Sequence, residues 1–173
     1  MPLRWQRSFA PPGMKEIEMS LFFRGRKLDA AAAKAFKSVL KKPSHPLNEQ
    51  EFKDLSRVML NMGDNQHVDA ELRGSRPPNC IIQMAETGSI NGKSVLVVQG
   101  TFQNSNSEPI NECCNVFVDG EGTGEYVFEV YIVVPAKLGA SIFQQQLGLF
   151  RGSIATIEWA DSLFLPPLIN FGI

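Results

Sequence analysis

What the chain lacks narrows its chemistry before anything present does. Its 173 residues include two histidines, three cysteines, two tryptophans and two tyrosines. His45 and His67 belong to no Cys/His cluster, and a zinc centre needs three or four well-placed nitrogen or sulfur ligands. No stretch reaches the roughly 20 apolar residues that span a bilayer, so no membrane span is expected. Met1–Arg7 is basic, but no apolar segment follows it, which predicts no secretory signal. Asn-x-Ser/Thr occurs nowhere. Cys80, Cys113 and Cys114 leave an odd thiol without metal-type spacing. Neighbours on a strand face opposite ways, so Cys113 and Cys114 are poorly placed to bridge each other. A reducing, cytoplasmic setting is the expectation.

What is present suits one ordinary domain. Apolar residues make up 43% of the chain, with 12 phenylalanines, enough for a core; charged residues make up 20%, enough for a wet surface. The net charge of −1 conceals an asymmetry: residues 1–76 carry 14 of the 17 Lys/Arg and come to +5, while residues 77–173 come to −6. Opposite halves that attract within one dipolar domain explain this without a partner. The pI near 6.1 argues against nucleic acid.

Trp5–Phe9 reads as a short strand. Ile17, Met19, Leu21 and Phe23 then alternate as a half-buried strand does, and Arg24-Gly25-Arg26-Lys27 ends it. Asp29 caps an alanine-rich helix to about Lys41, with Phe36, Val39 and Leu40 inward. Asn48 and Glu51 have capping-box spacing and open a second helix, which Gly63 stops. Residues 64–79 read as loop and Cys80–Ala85 as a strand. Asn91-Gly92 is a hairpin turn, since both residues tolerate positive φ. Ser94–Phe102 is apolar on both faces, as a central strand should be. Residues 103–112 read as polar loop, and Cys113–Val118 and Tyr126–Val134 pair across the acidic turn Asp119–Glu125. Pro135 opens a third helix to about Gly152. It holds only two charges, and its polar positions include Gln144–Gln146. Ile154–Trp159 reads as a closing strand. The tail, 162–173, is apolar but broken by two prolines, so it must dock on its own domain or on another chain.

The candidate motifs are few. Gly88–Ser94 falls one residue short of a phosphate loop, with Thr87 where the first glycine belongs, and leads into a strand where a phosphate loop needs a helix. Gly120-x-Gly122-x-Gly124 lies between strands, so it is no dinucleotide fingerprint. Asp119, Glu121 and Glu125 could ligate a hard cation, but Val130 stands where a calcium loop has its bidentate glutamate. Arg24, Arg26 and Lys27 could grip a carboxylate or phosphate; more commonly such residues keep an edge strand from associating. Gln144 and Gln145 are further binding candidates on the nearly uncharged helix. A nucleophile pair between Cys80 or Cys113 and a histidine has no local signature, and Gly152-Ser153 lacks the flanks of a nucleophile elbow.

From Asn91 to Trp159 the chain resembles a pattern in small uncharacterised bacterial proteins: Gly-Lys-x-Val-Leu-x-Val-x-Gly, Phe-Val-Asp-x-x-Gly-x-Gly, Glu-x-Tyr, and Ser-Ile-x-x-Ile-x-Trp. The order strand, hairpin, helix, strand is similar to the PsbP-like α+β group. That resemblance implies a binding module without catalysis.

The expectation is therefore one α+β domain over 1–161, followed by the tail: a mainly antiparallel twisted sheet of five to seven strands with about three helices, near 29–41, 48–62 and 136–152. The leading functional expectation is a non-enzymatic protein-interaction module, an adaptor, inhibitor or immunity-type protein, with no cofactor and a protein as partner. The tail is a possible element of self-association. Two alternatives stand beside it. One is a hydrolase or transferase with a dispersed site around Cys113, His67 and the acidic turn; the other is a cation- or small-ligand-binding module.

Overall fold

Side chains that alternate along a strand can be buried on both faces only when both faces are covered, and that is how this chain folds. A computed structural model describes residues 20–59 and 79–158. Its strands are β1 (Ser20–Lys27), β2 (Asn79–Ile90), β3 (Lys93–Gln103), β4 (Pro109–Asp119) and β5 (Tyr126–Pro135). They form one antiparallel five-stranded sheet in the order β1-β5-β4-β3-β2. The helices are α1 (Ala30–Leu40), α2 (Glu49–Asp54), α3 (Ser56–Met59) and α4 (Ala140–Ile154). The class is α+β.

Two cores result. On the first face, Phe36 and Val39 of α1 and Leu55, Val58 and Met59 around α3 pack on Leu96, Val98, Phe102, Cys113, Phe117 and Val127. On the second, Phe143, Leu147, Phe150 and Ile154 of α4 pack on Val95, Cys114, Val116, Val118, Val130, Ile132 and Val134. Cys113 and Cys114 thus enter different cores, and all three thiols are free.

Local chemistry sets the boundaries. The Asp29 side chain accepts from Ala32 N–H at 2.9 Å and starts α1. Asn48 and Glu51 make both halves of a capping box and start α2. Asn91 at φ 46° and Gly92 at φ 81° turn β2 into β3. In the acidic turn, the Asp119 carboxylate accepts from Gly124 N–H at 2.9 Å, and Leu28 N–H donates to the Glu125 carbonyl at 2.7 Å.

The structure moves several expected boundaries. β1 continues through Arg24–Lys27 instead of ending there, because pairing with Tyr126–Glu129 uses those residues. The second helix is interrupted at Leu55, whose φ of −88° and ψ of 0° open a new short turn. β4 begins at Pro109, inside the expected loop, since Asn111 and Glu112 pair with Pro135 and Val134. Pro135 therefore ends β5 and does not open the helix. A 3-10 turn, Ala136–Leu138, and Gly139 at φ 86° redirect the chain before α4 starts at Ala140. Ile154 is the last residue of α4, followed by a turn, so no closing strand forms over 154–158. The strand expected at Trp5–Phe9, the residues expected as loop before Asn79, and the tail lie outside the described residues.

Gly124 is where the acidic turn meets α1. A Cβ there would stand 2.6 Å from the Ala33 carbonyl oxygen and 2.8 Å from Lys37 Cβ, at φ 77°. At Gly122, φ is 72° but nothing lies within 4 Å. Gly122→Ala should cost about 1 kcal/mol, the left-handed penalty alone. Gly124→Ala should cost about 3 kcal/mol, because strain and clash combine. Urea unfolding of both variants separates the two effects; equal losses would refute the contact.

Candidate functional site

The acidic turn is organised by its own backbone. Asp119 is buried, with one carboxylate oxygen committed to Gly124 N–H and the other without a hydrogen-bond partner among the described residues. Glu121 and Glu125 are exposed. Lys93 Nζ lies 3.4 Å from the Gly120 carbonyl, bringing a positive charge to the turn. Among the described residues, no three His, Cys, Asp or Glu side chains converge as a metal set.

Arg24, Arg26 and Lys27 all lie on β1. Among the described residues β1 is an edge strand, and register sets Arg24 opposite Glu129, Arg26 opposite Val127 and Lys27 opposite Tyr126. The Lys27 ammonium lies 5.5 Å from the Tyr126 ring centre. Glu129 is fully buried.

Gln144 and Gln145 are exposed on α4, whereas Gln146 is fully buried, and neither its amide oxygen nor its nitrogen has a hydrogen-bond partner among the described residues. The helical period carried this signal. Gln146 lies three residues after Phe143 and four before Phe150, on the same inward stripe.

Cys113 and Asp119 are six residues apart on β4, about 20 Å along an extended strand, so the acidic turn is remote from the thiols. His67 lies outside the described residues. Cys80 and Cys113, by contrast, both lie beside Gly100 of β3.

Sequence reading missed the cluster around His45. Its Nδ1 lies 2.7 Å from the Pro43 carbonyl and 3.1 Å from Thr87 Oγ1, and its Nε2 lies 2.9 Å from Glu51 Oε2. The constellation mimics a hydroxyl–imidazole–carboxylate triad, but its protons are in the wrong places. A carbonyl and a carboxylate only accept, so both ring nitrogens are called on to donate, and no lone pair remains for the Thr87 proton. Thr87 instead donates to the His45 carbonyl at 3.3 Å and accepts from His45 N–H at 3.1 Å.

The Pro43 carbonyl and then Glu51 raise the His45 pKa above its ordinary value. The Lys42 ammonium and the Asn48 N–H, with His45 adding to them, hold Glu51 down to about 2. The cluster is a clasp. It fastens residues 43–47 to the outer edge of β2, where Leu47 N–H donates to Ala85 and Thr87 N–H to His45, each at 2.9 Å. The capping box was the available signal. Lys42 and His45 precede Glu51 by only 9 and 6 residues; the distant member is Thr87 of β2, 42 residues from His45.

A concave site lies beside α4. Beside the C-terminal half of α4, the second face of β2 and β3 is open among the described residues, leaving a cleft of about 300 Å³ lined by Glu86, Ile90, Val97, Cys114, Phe150 and Arg151. Asn91 closes one end, its side-chain amide donating to the Ala155 and Ile157 carbonyls at 2.8 Å each. Burial pushes the Cys114 thiol up to about 12, with Arg151 opposing and Glu86 adding to that shift. Its floor is thus apolar and chemically quiet, between walls of opposite charge.

Comparison of the chain with protein-family models, with curated proteins and with solved structures finds no match.

Two outcomes follow from this geometry. His45, raised in the folded state, contributes stability that is present below about pH 6.5 and lost as pH rises through its folded value. Glu51, lowered, contributes stability present above about pH 4.5 and lost as pH falls toward 2. The clasp is therefore strongest between those limits. Glu51→Gln should cost about 1 kcal/mol near pH 5.5 and less near pH 8.5, read from urea midpoints; an equal loss at both would remove His45 from the clasp. Separately, Gln146→Leu should raise stability by about 1 kcal/mol, since it removes a desolvated amide. A lower midpoint would show that the amide is satisfied in solution.

Proposed function

We propose that this protein is a non-enzymatic interaction module, in the adaptor, inhibitor or immunity class, and that it seats a segment of a partner protein in the cleft beside α4. The cleft carries this reading. Its volume falls at the lower end of the roughly 300–1,000 Å³ typical of ligand sites, suited to one or two side chains rather than a large cofactor. Its lining is mostly apolar, and α4 bears a single charge, Arg151. Interface centres are likewise depleted of charge and built around apolar anchors.

The walls define the partner's chemistry. Glu86 suits a basic residue and Arg151 an acidic one, flanking an aliphatic or aromatic anchor. The PsbP-like resemblance supports the same class of function, a binder without catalysis.

Peptide display on the immobilised full chain tests this directly. Selected peptides should share an apolar anchor with flanking charges. Arg151→Glu should weaken those with an acidic flank by at least about tenfold, and Glu86→Lys those with a basic flank, with far-UV circular dichroism unchanged. Failure to enrich any such sequence, or binding indifferent to both substitutions, overturns the reading.

A further inference from the structure

Cys80 and Cys113 lie on strands that are not neighbours. β3 runs between them, and a flat sheet would hold β2 and β4 about 9.6 Å apart, beyond the reach of a disulfide. Gly100 changes that local geometry. A Cβ at Gly100 would stand 2.8 Å from the Ile81 carbonyl oxygen and 3.0 Å from Cys80 Sγ, so β2 leans over β3 at this residue. The register slips between Ile82 and Met84, directly beside it. From the other side, the Cys113 thiol donates to the Gly100 carbonyl at 3.2 Å. Both sulfurs thus lie against the one residue of β3 with no side chain to separate them. Cys80 is partly exposed, Cys113 is buried, and Cys114 belongs to the opposite core.

We propose that Cys80 and Cys113 form a redox-active dithiol, in which a hydroperoxide oxidises Cys80 and Cys113 then closes a disulfide across Gly100. In the first step the Cys80 thiolate sulfur attacks the terminal peroxide oxygen. The O–O bond breaks, the alkoxide or hydroxide leaves and takes up a proton, and Cys80 becomes a sulfenic acid, oxidised by two electrons as the peroxide is reduced. In the second, the Cys113 sulfur attacks the Cys80 sulfur. An S–S bond forms, the S–O bond breaks, and the departing hydroxide leaves as water with the Cys113 proton.

The assignment of roles follows from access and from charge. Solvent reaches Cys80, and the neighbouring Cys113 thiol holds the Cys80 pKa below its ordinary value, against burial and Glu112. Cys113 is shifted the other way by the Cys80 thiol beside it and by burial. A low-pKa exposed thiol beside a resolving partner is the arrangement of peroxide-sensing cysteines.

Reduced full-length protein treated with hydrogen peroxide and weighed intact should lose about 2 Da, and alkylation after denaturation should then label Cys114 alone, where the reduced chain is labelled at all of Cys80, Cys113 and Cys114. Peptide mapping should find Cys80 linked to Cys113, reversibly by dithiothreitol. With dimedone present, Cys113→Ser should accumulate an adduct on Cys80, and Cys80→Ser should form neither adduct nor intramolecular disulfide. Cys113→Ala, checked by circular dichroism, serves if the serine perturbs the core. Linkage through Cys114, oxidation without a disulfide, or thiols that survive peroxide at doses that consume free cysteine would each overturn the proposal.

Discussion

The structure depends on β4 being covered on both sides. From Cys113 to Asp119 every residue is buried, with odd positions facing α1–α3 and even positions facing α4. Antiparallel sheets usually keep one face wet, and alternate apolar with polar residues accordingly. Here both faces are dry, so register is held by shape instead of polarity. A one-residue slip would exchange Phe117 with valines on the α4 side and carry Asn115 into the other core. The flanking strands enforce the register: β3 and β5 pair along most of the length of β4.

That constraint explains which elements the sequence announced. Asn91-Gly92, Asp29 and the Asn48/Glu51 box act within a few residues of themselves, so their chemistry is legible locally. So is the two-faced apolar run of β3. Legibility fails where a longer-range pairing overrides a local preference. Pro135 is a favourable first residue for a helix, but pairing with Asn111 claims it for β5. Ile154-Ala-Thr-Ile-Glu-Trp159 has strand-like residues, yet Ile154 completes the 143/147/150/154 stripe of α4 and is buried with it. The same stripe contains Gln146, which composition alone grouped with its exposed neighbours Gln144 and Gln145.

The candidate sites repeat this division. Asp119, Glu121 and Glu125 are close in sequence, so their grouping was visible; that Asp119 caps Gly124, and that Gly124 fits against the backbone of α1, was not. His45 looked solitary because Thr87 is 42 positions away. The meeting of Cys80 with Cys113 was invisible for the same reason. It depends on Gly100, whose function is to permit close approach between strands, not to turn the chain. A glycine in a strand interior weakens the strand unless something must come near it. Here the Ile81 backbone and the Cys80 sulfur do.

Charge follows the layers. The +5 segment contributes β1 and α1–α3, and the −6 segment contributes β2–β5 and α4. Gly124 carries the acidic turn to Lys37 of α1, so the two signs meet across the first core. Such contacts between exposed groups are screened within about 8–10 Å at physiological salt, and the layers are held by burial rather than by charge. The second face is different. α4 brings one cation and no acid, and the cleft beside it sets that cation, Arg151, against Glu86 over an apolar floor. With so few charges on α4, the apolar floor beside it is buried at little cost of desolvation.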